Sequence, residues 1–333
     1  MRKIISFLLL VNLYTIGYTQ FIKGTILDQN THTKIIFASV YFNGTFVGTY
    51  TDQNGYFELD ISKNLSMPLT ISAVGYYSVT LTNFITDKSY LIYLTPKIYE
   101  LKEVVITGKA NSFERKTNFN IFKREFLGAT LNAMSCHITN EDDIILTYNP
   151  DNDTLKAFSS NPILINNKAL GYNIIYYLDK FEFCWSTNYL LIKGNCIFKE
   201  DSTNRNSQQK RFERRRESAF FGSRMHFFRA LWENNLDSAG FTVKDSANVR
   251  LSYDKYVIQT DSIVGSDHLK YLKYHGILFV AYHTKLPKSR IMMLKEYIYF
   301  DKDGFFDPLG ISWQGEMARQ RIGDLLPFEY KPK

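Results

Sequence analysis

The chain has 333 residues, of which 45% are hydrophobic and 16% aromatic. This composition supports a packed core and excludes a chain that is disordered throughout. The formal net charge of +7 is modest, and much of it lies in one segment, residues 205–216. The three cysteines are too few for a disulfide framework in a chain this long.

The first residues predict an export signal. Arg2 and Lys3 precede an apolar run from residue 4 to 13, and small side chains follow at the cleavage positions before Gln20. We therefore predict that residues 1–19 are a signal peptide and that the protein is exported, to the periplasm or the outer membrane. Export argues against nucleic acid as a partner. The alternative is a retained anchor helix, although spanning a bilayer takes about 20 apolar residues.

After the signal, short strand-like runs alternate with turns and show no helical period. The predicted strands are Phe21–Leu27, Ile35–Phe42, Val47–Tyr50, Tyr56–Ile61, Leu69–Val74, Tyr77–Leu81 and Tyr90–Leu94. Asn43-Gly44 is typical of a hairpin turn, and Asp52 and Gly55 suit a second turn. Strands at this spacing indicate a β-sandwich over residues 20–96.

Four short motifs resemble the carboxypeptidase regulatory-like family. They are Gly24-Thr-Ile-Leu-Asp28, Ala38-Ser-Val40, Thr51-Asp-x-x-Gly55-x-Phe57 and Ser72-x-x-Gly75-Tyr76. The resemblance implies an all-β, seven-stranded prealbumin/Ig-like sandwich that is not catalytic. A carboxypeptidase needs a zinc site of histidine and carboxylate ligands, and this region has a single histidine, His32. We therefore predict no zinc site.

The segment Leu101–Gly108 resembles the stretch that follows the same module in outer-membrane TonB-dependent receptors. Too few residues follow Gly108 for a plug and a barrel, so a receptor of that kind is not predicted. The candidate partner strand within this segment is Glu103, Val104, Val105 and Ile106. It is either an edge strand or extended linker, within a linker of residues 97–118, or a strand that adds to a partner's sheet.

Residues 119–333 predict a second domain that is α+β and mostly antiparallel. Phe119, Phe122 and Phe126 have helical spacing. Strands over residues 144–148 and 155–158 flank a hairpin turn at 149–153, and further strands precede a helix over residues 208–236. More strands follow, and residues 317–326 look helical. Phe221–Leu231 and Trp313–Pro327 resemble segments of uncharacterised exported proteins, which implies no particular activity.

A basic segment lies at the start of the predicted long helix. Its clustered arginines are Arg211, Arg214, Arg215 and Arg216. If the segment is helical, the first three share a face, with Arg216 beside it, and such a face suits an anionic membrane surface. The alternative is an ordinary solvated helix, partly neutralised by Glu213 and Glu217.

Ser223 and His226 are the candidate catalytic pair. Their spacing would bring a hydroxyl and an imidazole together on a helix, but no nucleophile-elbow motif surrounds the serine. The alternative is a core helix that Ser223 caps. Neither the spacing of His268, His275 and His283 nor the Asp301–Asp307 turn matches a metal site, and no cofactor or metal is predicted.

Two functions from different classes remain. The first is a non-enzymatic, exported binding or assembly protein of the periplasm or outer membrane, with envelope proteins or an anionic membrane surface as partner. The second is a cryptic hydrolase in the C-terminal domain that uses Ser223 or His226. The sequence also predicts free thiols, because a turn after Cys184 places it opposite a residue near Leu190 rather than Cys196.

Overall fold

The computed structural model describes residues 20–62, 67–82, 84–85, 88–97, 112–201, 206–258, 269–283 and 288–333. The predicted signal peptide and the predicted partner strand, Glu103 to Ile106, lie outside these residues. The described part is mostly β-strand. Among the described strands, every paired neighbour is antiparallel except β1 (Phe21–Asp28) and β7 (Ser89–Leu94), which are parallel.

The N-terminal region folds into two sheets packed as a β-sandwich. The remaining strands are β2 (Ser39–Phe42), β3 (Gly48–Tyr50), β4 (Tyr56–Asp60), β5 (Leu69–Ser72) and β6 (Val79–Leu81). One sheet has the order β4-β1-β7 and the other β3-β2-β5-β6. Alternation along β1 turns Ile22 and Ile26 inward, where they share a core with Val40 and Ile71 of the other sheet.

The second strand is shorter than predicted. It begins at Ser39 rather than Ile35, because Phe37 has a positive φ of 56° that breaks the extended conformation. The Asn43-Gly44 turn is confirmed: Gly44 has a φ of 75°, and the amide of Thr45 donates to the carbonyl of Phe42.

The C-terminal region begins with a helix that packs on a six-stranded sheet. Its helices are α1 (Ser112–Leu127) and α2 (Leu131–Met134), and its strands are β8 (Cys136–Ile138), β9 (Ile145–Asn149), β10 (Thr154–Phe158), β11 (Ile163–Asn167), β12 (Tyr172–Cys184) and β13 (Tyr189–Glu200). The predicted hairpin of β9 and β10 is confirmed. Phe122 and Phe126 of α1 are buried, with ring centroids 4.9 Å from Phe181 and 5.0 Å from Tyr176.

The predicted linker of residues 97–118 needs correction at both ends. Helix α1 already begins at Ser112, and Arg115 holds it to the sheet region by donating to the carbonyls of Ile144 and Glu141. At the other end Lys97 is buried against Asp179, with only 4% of its side chain exposed. Both ends of the predicted linker are therefore part of the fold. The contacts that place them there are made by Lys97 and Arg115 with residues far away in the sequence, and composition alone does not reveal such contacts.

The predicted long helix is two helices. They are α3 (Asn206–Phe220) and α4 (Arg224–Trp232), separated at Gly222, which has a φ of 81°. A Cβ at this glycine would lie 2.7 Å from the ring of Tyr282, so the close approach of that ring also requires glycine here. Ser223 caps α4 by accepting a hydrogen bond of 3.0 Å from the amide of His226, which is the alternative that the sequence offered to a catalytic pair.

Two further small sheets complete the C-terminal region. Their strands are β14 (Phe241–Lys244), β15 (Val257–Ile258), β16 (Lys270–Leu272), β17 (Ile277–Tyr282), β18 (Ser289–Met293), β19 (Ile298–Phe300) and β20 (Ile311–Gln314). The orders are β14-β17-β18-β20 and β15-β16-β19. After β19, Asp301 accepts the amides of Asp303 and Phe305, which forms the turn that leads toward β20.

The predicted C-terminal helix is replaced by two short 3₁₀ turns, Glu316–Arg319 and Ile322–Asp324. The carbonyls of Met317 and Gln320 accept hydrogen bonds from the Arg224 side chain, at 2.9 and 3.3 Å. A guanidinium from α4 thus takes the place that backbone amides would have in a helix.

The two regions are joined by a continuous interface. Thr45 pairs with Ile197 of β13 in an isolated parallel bridge, and the hydroxyls of Ser39 and Tyr177 lie 2.7 Å apart. Phe305 from the C-terminal region is part of the sandwich core. The interface explains why both faces of β2 are buried.

The three cysteines are free, as predicted. Cys184 lies opposite Tyr189, one residue from the predicted neighbour, and Cys196 lies opposite Tyr176. Their positions in the β12–β13 hairpin keep the two thiols far apart along the strands.

Candidate functional site

A cleft of about 390 Å³ lies where four parts of the C-terminal region meet. Its walls come from α2, from α3 and the turn that follows it, from the facing strands β17 and β18, and from the 3₁₀ segment after β20. We call it the α3–α4 cleft. Its size is in the range of small-molecule sites in proteins.

The mouth of the α3–α4 cleft combines apolar and basic side chains. Leu131 and Phe221 line it although they are 78% and 43% exposed. Arg215 and Arg319 also line it, and Arg319 lies 3.5 Å from Glu316 in an exposed ion pair. An exposed ion pair of this kind contributes about 0–1 kcal/mol and leaves Arg319 able to change partner.

Deeper in the cleft the lining is mainly apolar, with Val280, Tyr282 and Met317. Asp324 is the acidic exception. Its carboxylate accepts hydrogen bonds from Thr130 and Asn132, and burial raises its pKa. Because these neighbours already satisfy the carboxylate, it serves to hold α2 against the 3₁₀ segment.

Two more arginines, Arg224 and Arg321, lie behind the part of the cleft that the 3₁₀ segment forms. Arg224 has its guanidinium 4.9 Å from the ring of Trp313, and burial together with the nearby Arg321 lowers its pKa to about 9. Burial also lowers the pKa of Arg321. The hydrogen bonds found for both guanidinium groups in the described part go to backbone carbonyls. These two guanidinium groups therefore add positive charge close to the cleft.

Ser223 and His226 are close together, but their polar atoms have structural partners. The Ser223 hydroxyl accepts the amide of His226, and Nδ1 of His226 accepts the amide of Gly222 at 3.1 Å. The imidazole is surrounded by the rings of Phe220, Phe241 and Tyr282. This arrangement suits a helix cap and a packed neutral imidazole better than a nucleophile and its base.

The burial of His226 makes stability depend on pH. Desolvation, with Arg229 and His283 nearby, lowers the pKa of His226 from 6.5 to about 4. The unfolded state therefore binds more protons between these values, and stability falls as the pH drops through this window. We expect His226→Gln to remove about 1 kcal/mol of the stability loss between pH 7 and pH 5, after allowing for solvent screening. Urea unfolding of both proteins at the two pH values measures this, and equal losses would contradict it.

The structure separates the four arginines of the basic segment. Arg211 and Arg214 are exposed on α3, together with Lys210, whereas Arg215 is half-buried in the wall of the cleft. Arg216 is 6% exposed and cannot contact a membrane surface. This corrects the predicted set: helical spacing turns Arg216 inward, onto the ring of Tyr172 at 4.0 Å.

Within the described residues, no group of three or more His, Cys, Asp or Glu side chains is placed to hold a metal ion. His268 lies outside those residues. No helix among the described residues is long and apolar enough to cross a membrane.

Comparison with known families bears on the N-terminal region. Residues 22–106 match the CarboxypepD_reg-like domain family. The chain therefore carries a carboxypeptidase regulatory-like domain. The turn Asp52–Gly55 within it has the expected geometry: Asp52 accepts the amides of Asn54 and Tyr56, and Gly55 has a φ of 68°.

The comparison with curated proteins gives no match. Among solved structures, the chain is similar to a 9R-lipoxygenase from Cyanothece at 11% identity and a TM-score of 0.18, covering 67% of this chain and 48% of that one. It thus spans about half the length of the lipoxygenase. A second similar structure is a Bacteroides fragilis protein described as membrane-associated and of unknown function, at 14% identity, a TM-score of 0.19, and coverage of 90% and 95%.

Several residues of the cleft were not singled out by sequence reasoning, among them Leu131 and Arg319. Phe221 and Arg319 do fall within the two segments that resemble uncharacterised exported proteins. The structure brings both segments to the same cleft. That shared resemblance was the available signal, although it could not show that segments so distant in the chain meet.

Proposed function

We propose that this protein is an exported, non-enzymatic binding protein of the periplasm or outer membrane that attaches to an anionic membrane surface through α3. The carboxypeptidase regulatory-like domain, as a seven-stranded prealbumin-like sandwich, and the α+β region that follows it form the body of the protein. Envelope proteins are further partners in this proposal.

The observation that carries the proposal is the charge distribution on α3. Lys210, Arg211 and Arg214 are exposed, whereas Glu213 and Glu217 are half-buried. Glu213 lies 3.9 Å from Lys333, so its charge is already balanced by another part of the chain. The outward side of α3 is therefore basic rather than neutralised. Each basic residue near an anionic surface contributes about 1 kcal/mol to binding.

The binding role also agrees with the hydrogen bonds and packing of Ser223 and His226. Both are engaged in capping and packing α4, which favours the binding protein over the cryptic hydrolase.

Vesicle binding tests the proposal. We expect the double variant Arg211→Gln, Arg214→Gln to bind vesicles containing anionic phospholipid about tenfold or more weakly than the wild type at low salt. The matched control is Lys255→Gln, Lys302→Gln, which removes the same charge from exposed positions outside α3. This control should bind anionic vesicles like the wild type. Vesicles of neutral phospholipid should bind none of the three proteins. Equal loss in the control, or no binding by the wild type at low salt, would refute the attachment.

A further inference from the structure

We propose that the α3–α4 cleft binds a small amphipathic anion: one carboxylate, phosphate or sulfonate group carried on an apolar body. The inference deepens the proposed function and depends on it only in treating the protein as a binder rather than an enzyme. It concerns a soluble ligand in the cleft. The proposed membrane contact uses the outward side of α3 instead, through Arg211 and Arg214.

The apolar part of the ligand is indicated by the side chains that line the mouth and floor. Leu131 and Phe221 are 78% and 43% exposed at the mouth, and Tyr282 and Met317 continue the apolar surface inward. Large apolar side chains left exposed around a concavity mark a binding site, since burying them gains about 25 cal/mol per Å². A cleft of about 390 Å³ accepts a molecule of about the size of two or three fused or linked rings.

The charge of the ligand is indicated by the arginines. Arg215 from α3 and Arg319 from the 3₁₀ segment line the same cleft, and the ion pair that Arg319 forms within the described residues is the exposed one with Glu316. Behind them Arg224 and Arg321 add two positive charges whose hydrogen bonds in the described part go to carbonyls. Arginine forms two parallel hydrogen bonds with a carboxylate or phosphate, so this wall is suited to an anionic group.

The acidic residues nearby do not cancel this preference. The carboxylate of Asp324 accepts hydrogen bonds from the side chains of Thr130 and Asn132, so it is engaged within the protein rather than open to a ligand. Glu316 is exposed and only moderately close to Arg319. A ligand anion can therefore displace the Glu316 contact at little cost.

The test uses two fluorescent probes with the same ring system. One, 8-anilinonaphthalene-1-sulfonate, carries a sulfonate, and the other, N-phenyl-1-naphthylamine, carries no charge. For the full chain we expect Arg215→Gln, Arg319→Gln to weaken binding of the sulfonate probe about tenfold and to leave the neutral probe unchanged. Phe221→Ala should weaken both probes, and inorganic phosphate should displace only the sulfonate probe.

The matched control is Arg211→Gln, Arg214→Gln, which removes the same charge from the outward side of the same helix. It should bind both probes like the wild type, and Arg215→Gln, Arg319→Gln should still bind anionic vesicles. The two double variants thus separate this inference from the membrane attachment. The inference is overturned if the control loses the sulfonate probe equally, if Arg215→Gln, Arg319→Gln binds it normally, or if Phe221→Ala affects neither probe.

Discussion

Replacing Lys97 by methionine is expected to lower the free energy of unfolding by about 3–5 kcal/mol, because it leaves a buried carboxylate without its cation. The side chains of Lys97 and Asp179 are only 4% and 8% exposed. Asp179 occupies the irregularity of β12 between Leu178 and Lys180, where the register with β13 shifts. The bulge thus turns a carboxylate toward the carboxypeptidase regulatory-like domain.

The contacts around this pair explain why the loss of one partner should lower the free energy of unfolding strongly. Nζ of Lys97 donates to the carbonyl of Leu178 at 2.8 Å and lies 3.9 Å from Oδ1 of Asp179. Burial raises the pKa of Asp179, an effect that Lys97 opposes. In the absence of Lys97 the carboxyl therefore takes up a proton more readily, and the cost of Lys97→Met should be smaller at pH 5 than at pH 7.

Urea unfolding of three variants measures this effect. The double variant Lys97→Met, Asp179→Leu should recover most of the lost stability, since it removes both charges together. Lys156→Met is the control: Lys156 forms an exposed ion pair with Glu182 at 3.5 Å, and its loss should cost less than about 1 kcal/mol. A cost for Lys97→Met no larger than that of the control would show that the pair does not hold the two regions together.

The second large effect is expected at Arg216. Replacing it by glutamine should lower the free energy of unfolding by about 2–4 kcal/mol, because two buried carbonyls, of Leu170 and Gly171, lose their donor. Its Nε donates to the carbonyl of Leu170 at 2.7 Å, its Nη2 to that of Gly171 at 3.2 Å, and its Nη1 to Glu200 at 2.8 Å. The guanidinium also stacks on Tyr172.

Arg216→Lys should recover only part of this stability, because an ammonium group cannot reach the three acceptors as a planar fork does. The control is Arg214→Gln on the same helix, where the side chain is exposed and the change should stay within about 0.5 kcal/mol. Chemical denaturation of the three variants gives the comparison. Similar stabilities for Arg216→Gln and Arg214→Gln would mean that the buried guanidinium contributes nothing net.

The sequence by itself determined the features that depend on neighbouring residues. The Asn43-Gly44 turn, the hairpin of β9 and β10, the Ser223 cap and the free thiols all follow from short-range geometry: a residue that tolerates positive φ, a side-chain acceptor before a helix, or the register of a hairpin. The motifs around Thr51–Phe57 were likewise sufficient to recognise the carboxypeptidase regulatory-like domain.

Only the tertiary structure decided the outcomes that depend on distant partners. The ring of Tyr282 closes on Gly222 and divides the predicted long helix, and Arg224 takes the carbonyls that would have built a C-terminal helix. Arg214 and Arg216, two residues apart in one helix, have different roles because the helix turns Arg214 to solvent and Arg216 onto Tyr172 of β12. The α3–α4 cleft belongs to this second class, since its walls meet only when segments far apart in the chain pack together. Local patterns record the preferences of the backbone, whereas a charged side chain's role depends on which carbonyls, rings and carboxylates the completed fold places around it.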